Sequence, residues 1–449
     1  MKMMFKNKIY NIFLKCKGIN YNNQYFEIKT IQHRNDLIEF RQLNQKKLLL
    51  HAYNHVPYYH RLLKNTGVVN GENIDLSKFD KIPILTKEIM RSEELLSDDY
   101  MTRNWYENFS GGSTGEPTRF IQDANYTRWF NASSKFYYID ILSIDEINVK
   151  KIELWGSPRD LYKGSIGIKA KIGTWLTNTV LLNSFRMTEE DMQRYVNTIN
   201  SYRPDLIRGY AGSLFELCRF IEKKKLSIYT PKILVSSAET LTNEMRETIE
   251  SIFGTKLYDF YGSRETASIA GECRCGLMHI FEFNNYIEVL DENDQPVKEG
   301  KEGRVIVTNL HNYSMPFIRY EIGDMAKLGP NNCKCGNILP TLEKIYGRIE
   351  EQFIRKDGGI VIGYYFVHLM GVVLNKGFIK KFQVIQEDYD KIRLLVIPNI
   401  MLPDMEKKDI EKKIRLQMGQ DCKIIWDFVD EIPKTKSGKY LYTKTLIAK

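Results

Sequence analysis

The sequence predicts an α/β protein, with a large amino-terminal part of helix-covered parallel strands and a small carboxy-terminal α+β unit. Three observations carry this. Between Leu206 and Phe260 short β-branched runs alternate with amphipathic helical runs across short connections, the pattern of a parallel sheet. Beyond Cys275 the apolar period falls to two, as in antiparallel strands. From Gln352 onward the order strand, helix, strand, strand, helix, strand describes a separable open unit. A chain of 449 residues has room for about two or three such domains.

The elements follow in order. Apolar residues recur at helical spacing from Leu37 to about Lys64, interrupted at Val56-Pro57 because proline disfavours helix in the residue before it. Thr86 is placed to cap a helix after the extended piece in KIPILTKEIMR. Helical periodicity returns from about Tyr126 to Tyr138, KIELW at 151–155 reads as a buried strand, and Thr-Glu-Glu at 188–190 opens a helix. Then come the strand at Leu206-Ile207, a helix capped by Ser213, the strand Lys232 to Val235, a helix capped by Thr242, and the strand Lys256 to Phe260. Tyr286 to Leu290 and Arg304 to Leu310 flank a turn rich in Asp, Asn, Gly and Pro and predict a hairpin.

Composition narrows the function. At 43% hydrophobic and 27% charged residues the chain can build a core and is not a disordered or fibrous protein. The net charge of +9 favours anionic partners, yet Lys is interleaved with Glu and no basic tail or nucleic-acid module is present. No stretch approaches the roughly 18 apolar residues of a membrane span. The amino terminus, MKMMFKNKIYNIFLKCKG, lacks a continuous apolar segment, so it predicts a helix packed on its own protein and a cytoplasmic location. Attachment of this basic segment to a membrane surface is the alternative.

Residues 110–117, Ser-Gly-Gly-Ser-Thr-Gly-Glu-Pro, hold three glycines and three hydroxyls. Such a segment can turn consecutive N–H groups and the hydroxyls of Ser110, Ser113 and Thr114 toward one polyphosphate. No lysine follows the last glycine, so it is not the Walker-type loop. Two polar clusters stand at carboxyl ends of predicted parallel strands, where ligands collect in open sheets: Ser236-Ser237-Ala238-Glu239 and Tyr261-Gly262-Ser263-Arg264-Glu265. Glu265 there is suited to hold Mg²⁺ against phosphates. Asp324, beside Gly323 in Arg-Tyr-Glu-Ile-Gly-Asp, is suited to accept bonds from ribose hydroxyls.

The hydroxyl-glycine loop, Ala-Glu, Tyr-Gly-x-x-Glu, Arg-Tyr-x-x-Gly-Asp, Gly-Arg and a final Pro-Lys-Thr-x-Ser-Gly-Lys stand in this sequence in an order that resembles the adenylate-forming superfamily. The resemblance spans about residues 80–440. It is nearest to the phenylacetate–CoA ligase branch, and KIPILTKEIMR and LHNYSMPFIRYEIGD resemble the CapK-type members of capsule biosynthesis.

It implies an adenylate-forming domain over 1–348 and a mobile lid over 349–449, with Glu350 as hinge where the family more often has Asp. It implies that Ser110, Gly111, Gly112, Ser113, Thr114 and Gly115 wrap the ATP phosphates. Ala238 and Glu239 would lie against adenine, Tyr261 and Gly262 beside the nucleotide and acyl carboxylate. Glu265 would hold Mg²⁺, Asp324 the ribose, and Arg348 ribose or phosphate. Lys439 would reach the carboxylate and α-phosphate. Tyr442 departs from the family's Arg, which loosens the match at the terminal loop. Tyr210, Ser236 and Phe260 are candidates for the acyl pocket.

Four of the seven cysteines form two Cys-x-Cys-Gly knuckles, Cys273/Cys275 and Cys333/Cys335, with His279 close behind the first. Zinc takes four ligands, and five are on offer. The CapK-type resemblance implies Cys273, His279, Cys333 and Cys335 within a zinc segment at 271–340, with Cys275 spare; four thiolates without His279 are the rival set. A site filled wholly by protein is structural.

The sequence thus points to ATP- and Mg²⁺-dependent activation of a small carboxylic acid, then acyl transfer to coenzyme A or to an amine or hydroxyl in surface-polysaccharide synthesis. The working state would be a monomer or homodimer. The rival from another class is a catalytically inactive, zinc-containing nucleotide-binding protein of the same fold.

Overall fold

One eleven-stranded sheet runs through the main body and changes character midway. The structure, a computed structural model, describes residues 2–92, 94–109, 118–155, 173–184, 187–239, 241, 243–348, 352–363, 365–366, 369–370, 378–432 and 443–447. Thr179–Asn183, Lys151–Trp155, Leu206–Tyr210, Ile233–Ser237 and Leu257–Ser263 lie parallel in that spatial order. A turn at 264–266 then reverses the chain. Ala267–Glu272, Met278–Ile280, Thr341–Arg348, Tyr320–Leu328, Glu302–Asn309 and Asn285–Leu290 continue the sheet antiparallel. The parallel half and the hairpin of the sequence reading are both found, as parts of one sheet.

The parallel strands read as apolar runs because both faces are covered. On one face Ile152, Leu154, Ile207, Leu234 and Leu257 pack beneath helices Glu189–Tyr202, Ala211–Lys224 and Asn243–Phe253. On the other, Leu206, Val235 and Phe260 meet Trp129, Tyr137 and Tyr138 of helix Ala124–Phe136 and its π-helical continuation Tyr137–Ile141.

Local chemistry sets most helix starts. Thr86 accepts from Ile89 N–H at 3.3 Å, and Thr188 and Asp191 form a reciprocal capping box. Asp123 accepts from Tyr126 N–H at 2.9 Å, which starts that helix at Ala124. Ser213 is not a cap: the helix begins at Ala211, and the Glu239 carboxylate accepts from Gly212 N–H at 2.6 Å. A charge supplied by the neighbouring strand end satisfies that terminus, so no local cap is needed. Thr242 lies outside the described residues.

The amino-terminal helix Lys2–Cys16 packs on its own chain. Leu14 is buried, and Lys6 Nζ donates to Asn178 Oδ1 at 2.6 Å. Among the described residues no helix is long and apolar enough to cross a membrane. The carboxy-terminal unit has its own core, in which Phe353, Phe382, Val384, Leu394, Ile410 and Ile414 pack together. Its four-stranded sheet is ordered Lys423–Phe428, Lys391–Pro398, Ile379–Asp388, Thr443–Thr445, with helix Asp404–Met418 packed alongside.

Candidate nucleotide site and metal centre

Ser110, Gly111, Gly112, Ser113, Thr114 and Gly115 lie outside the described residues, as do Glu350, Lys439 and Tyr442. The stem that carries 110–117 is described. Trp105–Phe109 pairs antiparallel with Arg119–Asp123, and Phe109 faces Arg119 at the last rung before the loop. Sequence reading missed this hairpin because its first strand has no buried alternation to betray it.

Three residues fasten the stem. The buried Gln122 donates from Nε2 to the carbonyl of Arg264 at 2.7 Å and accepts from Asn108 at 3.1 Å. Tyr126 Oη donates to the same Arg264 carbonyl at 3.1 Å. The Asp123 carboxylate accepts the N–H groups of Tyr313 and Ser314 at 3.1 and 3.2 Å. The stem is therefore tied to the turn that holds Glu265 and to the turn before Tyr320–Leu328.

That first turn is itself tight. Ser263 Oγ accepts from Thr266 N–H at 3.0 Å, and a Cβ on Gly262 would sit 2.5 Å from the Ala267 carbonyl oxygen, so only glycine fits there. Glu265 is 4% exposed. A carboxylate so enclosed is costly to keep charged on its own, and a bound cation offsets that cost.

Tyr261 and Asp324 come together: the phenol donates to Asp324 Oδ2 at 2.7 Å. Asp324 stands directly opposite Arg348 in the ladder of Tyr320–Leu328 and Thr341–Arg348. Ala238 is exposed and left-handed at φ +67°, a strained turn at a strand's carboxyl end. Glu239 is engaged at the helix N-terminus of Gly212, so its carboxylate has a structural task. Ser236 turns to the opposite face from Tyr210 and Phe260, where its hydroxyl donates to Asp259 at 2.8 Å. Strand alternation puts Ser237, and not Ser236, on the face of Tyr210 and Phe260.

The metal candidates also converge. One ligand atom each from Cys273, His279, Cys333 and Cys335 lies within 4.8 Å of all the others. Cys273 and Cys333 sulfurs are 3.6 Å apart, and His279 Nε2 is 3.2 Å from Cys335 Sγ. His279 Nδ1 lies 3.2 Å from the Leu339 carbonyl, which orients the ring. The two knuckles repeat one turn: Gly276 and Gly336 are left-handed, and each N–H bonds the carbonyl of Cys273 or Cys333 at 3.0 Å. Cys275 is exposed and outside the cluster. Burial pushes the Cys273 thiol up, but hydrogen bonds from His279 and from backbone N–H groups outweigh it and bring it to about 6. Burial, with its sulfur neighbours, raises Cys333 to about 11. Three sulfurs and one imidazole nitrogen are a donor set that fits Zn²⁺.

Comparisons with known proteins agree with this geometry. Residues 353–445 match the family model described as the CapK C-terminal domain. Protein CapK of Staphylococcus aureus is 25% identical over 95% of this chain and 93% of its own length. The phenylacetate-coenzyme A ligase of Thermus thermophilus is 28% identical over 73% of this chain and 74% of its own. The fold matches 2-hydroxyisobutyryl-CoA ligase crystallised with 2-HIB-AMP and CoA, with a TM-score of 0.61, 18% identity, and coverage of 93% of this chain and 91% of that one. Motif order, fold and relatives coincide: over most of its length the chain resembles CapK and the phenylacetate-coenzyme A ligases, and it has the fold of an adenylate-forming CoA ligase.

Proposed function

We propose that this chain is an ATP-dependent acid–thiol ligase. In the first half-reaction a carboxylate oxygen attacks the α-phosphorus of ATP, the bond to the β-phosphate breaks, and pyrophosphate leaves. In the second, the thiol sulfur of coenzyme A attacks the acyl carbon, AMP leaves with the bonding electron pair, and the thiol proton passes to solvent. The phenylacetate-coenzyme A ligases and the CoA ligase that share its fold support this reading. The observation that carries it is the joining of three separate motifs. Tyr261 bonds Asp324, and the Glu265 turn is bonded to the stem of the glycine loop.

A carboxylate is a poor nucleophile toward another anion, so positive charge and donors must be concentrated at the α-phosphate. Lys439 supplies the charge on a lid, 349–449, that closes over the main domain, 1–348, about Glu350. Residues 110–115 wrap the phosphates, while Ala238, Glu239, Gly262 and Arg348 border the nucleotide and Asp324 accepts from the ribose hydroxyls. Magnesium, when bound, neutralises phosphate charge, and Glu265 is its protein ligand. Zinc held by Cys273, His279, Cys333 and Cys335 is structural, because protein fills every position. The reaction is cytoplasmic, where ATP and coenzyme A are available. A second reading is transfer to an amine or hydroxyl in surface-polysaccharide synthesis, which rests on the resemblance to the CapK-type members, whose C-terminal domain residues 353–445 match.

The test is exchange of labelled pyrophosphate into ATP across a panel of acids, followed by addition of coenzyme A. Exchange with at least one acid is expected, falling about 100-fold or more in Lys439→Ala, the scale for losing one transition-state charge. Silence across the panel would establish the inactive nucleotide-binding protein instead. Adenylation without thioester formation would favour the second acceptor.

A further inference from the structure

The parallel half of the sheet presents an unusual group of side chains on the face toward Tyr138. Glu153, Arg208, Val235 and Tyr258 stand in one cross-strand row, and Tyr210, Ser237 and Phe260 in the next row toward the carboxyl ends. Trp155 follows Glu153 on the same face, one alternation further along its strand. The Arg208 guanidinium lies 4.8 Å from the Trp155 ring centroid and 5.6 Å from that of Phe260. Trp155 and Tyr210 rings are 4.3 Å apart.

What marks the group is unmet hydrogen bonding. Arg208 Nε is buried with no partner, and so is the hydroxyl of Tyr138, a residue 1% exposed. The nearby carboxylates do not answer Arg208: Glu146 and Glu153 are both taken by Lys151, at 3.7 and 3.3 Å. Among the described residues Arg208 forms no ion pair. Aromatic faces steady the cation but cannot accept its directional N–H bonds. Two buried donors left open within Coulombic reach of each other, one row below the carboxyl ends of the parallel strands, describe half of a recognition site.

We infer that Arg208 and Tyr138 select the acid, binding a second oxygen acceptor at its far end while Trp155, Tyr210 and Phe260 enclose the carbon skeleton between. The substrate is then a carboxylic acid bearing a distal carboxylate or hydroxyl, and not a plain alkyl or aryl acid. This rests on the adenylation reading above. A guanidinium presents parallel donors that match a carboxylate, so the distal carboxylate is the stronger form. A site built to bond an oxygen also rejects the analogue lacking it, because its donors stay unpaired.

The test measures pyrophosphate exchange with matched acids: succinate against butyrate, and 4-hydroxyphenylacetate and 4-carboxyphenylacetate against phenylacetate. The parent should favour the oxygen-bearing member of at least one pair by about tenfold or more in kcat/KM. Arg208→Met should abolish that preference, Arg208→Lys should keep part of it, and Tyr138→Phe should reduce it, all with KM for ATP unchanged. Melting temperatures of the variants separate selection from misfolding. A parent that prefers the hydrocarbon acids, or an Arg208→Met enzyme that folds and keeps the preference, overturns the inference while leaving adenylation standing. Exchange with none of the acids overturns both.

Discussion

Tyr261 and Asp324 are sixty-three positions apart and meet in a single bond of 2.7 Å. A hydrogen bond of this kind contributes about 1 kcal/mol, somewhat more when the acceptor is charged. In Tyr261→Phe the Asp324 carboxylate keeps its place in the strand but loses an orienting donor. The expected result is a roughly fivefold or larger rise in KM for ATP with little change in melting temperature. Steady-state exchange kinetics at varied ATP would show it, and an unchanged KM would remove Tyr261 from the nucleotide site. Lys439→Ala is the complementary variant, with its loss in rate and not in ATP binding.

Among the elements, the turn at 309–315 ties the glycine-loop stem to the antiparallel half of the sheet. His311 in that turn is buried, stacks on Trp129 at 3.9 Å, and has Nε2 2.8 Å from the Phe283 carbonyl. Burial holds its pKa down at about 3, against about 6.5 for an unfolded histidine. The unfolded chain thus binds the extra proton. The stability this neutral ring contributes is complete above about pH 6.5 and is lost as pH falls toward 3. Thermal melts from pH 8 to pH 4 should show a decline that is shallower in His311→Gln than in the parent. Equal slopes would count against the assignment.

The elements also show how far a sequence can be read. Thr86 and the Thr188–Asp191 box were legible because a cap is local chemistry. Ser213 misled because Glu239, twenty-six residues on, supplies the charge, and a tertiary cap leaves no local trace. The stem strand Trp105–Phe109 was invisible because it carries no buried alternation, and the partner of Gln122 lies in a turn far along the chain. The residues proposed to bind the nucleotide stood out by motif order, whereas Arg208 sits in an ordinary strand and only its missing partners reveal it.

At the scale of the whole molecule, the candidate metal centre brings residues 273–279 to residues 333–335, two segments about sixty residues apart. Without a cation, sulfurs 3.6 Å apart must share little negative charge, and that strand junction loses its clamp. The purified protein should carry about one zinc per chain, and a strong chelator should lower its melting temperature, with restoration on adding Zn²⁺ alone. Cys275→Ser should retain the metal and Cys333→Ser should lose it. A zinc-free protein of parental stability would refute the assignment.

Chain leaving the second knuckle runs straight into Thr341–Arg348, gripped by Met278–Ile280 and Tyr320–Leu328 on its two sides, and ends one residue short of the proposed swivel. A gate turns well only on a post that does not. With its near side moored in this way, the proposed swivel would start from a strand held on both flanks, and loss of the metal would loosen that strand first.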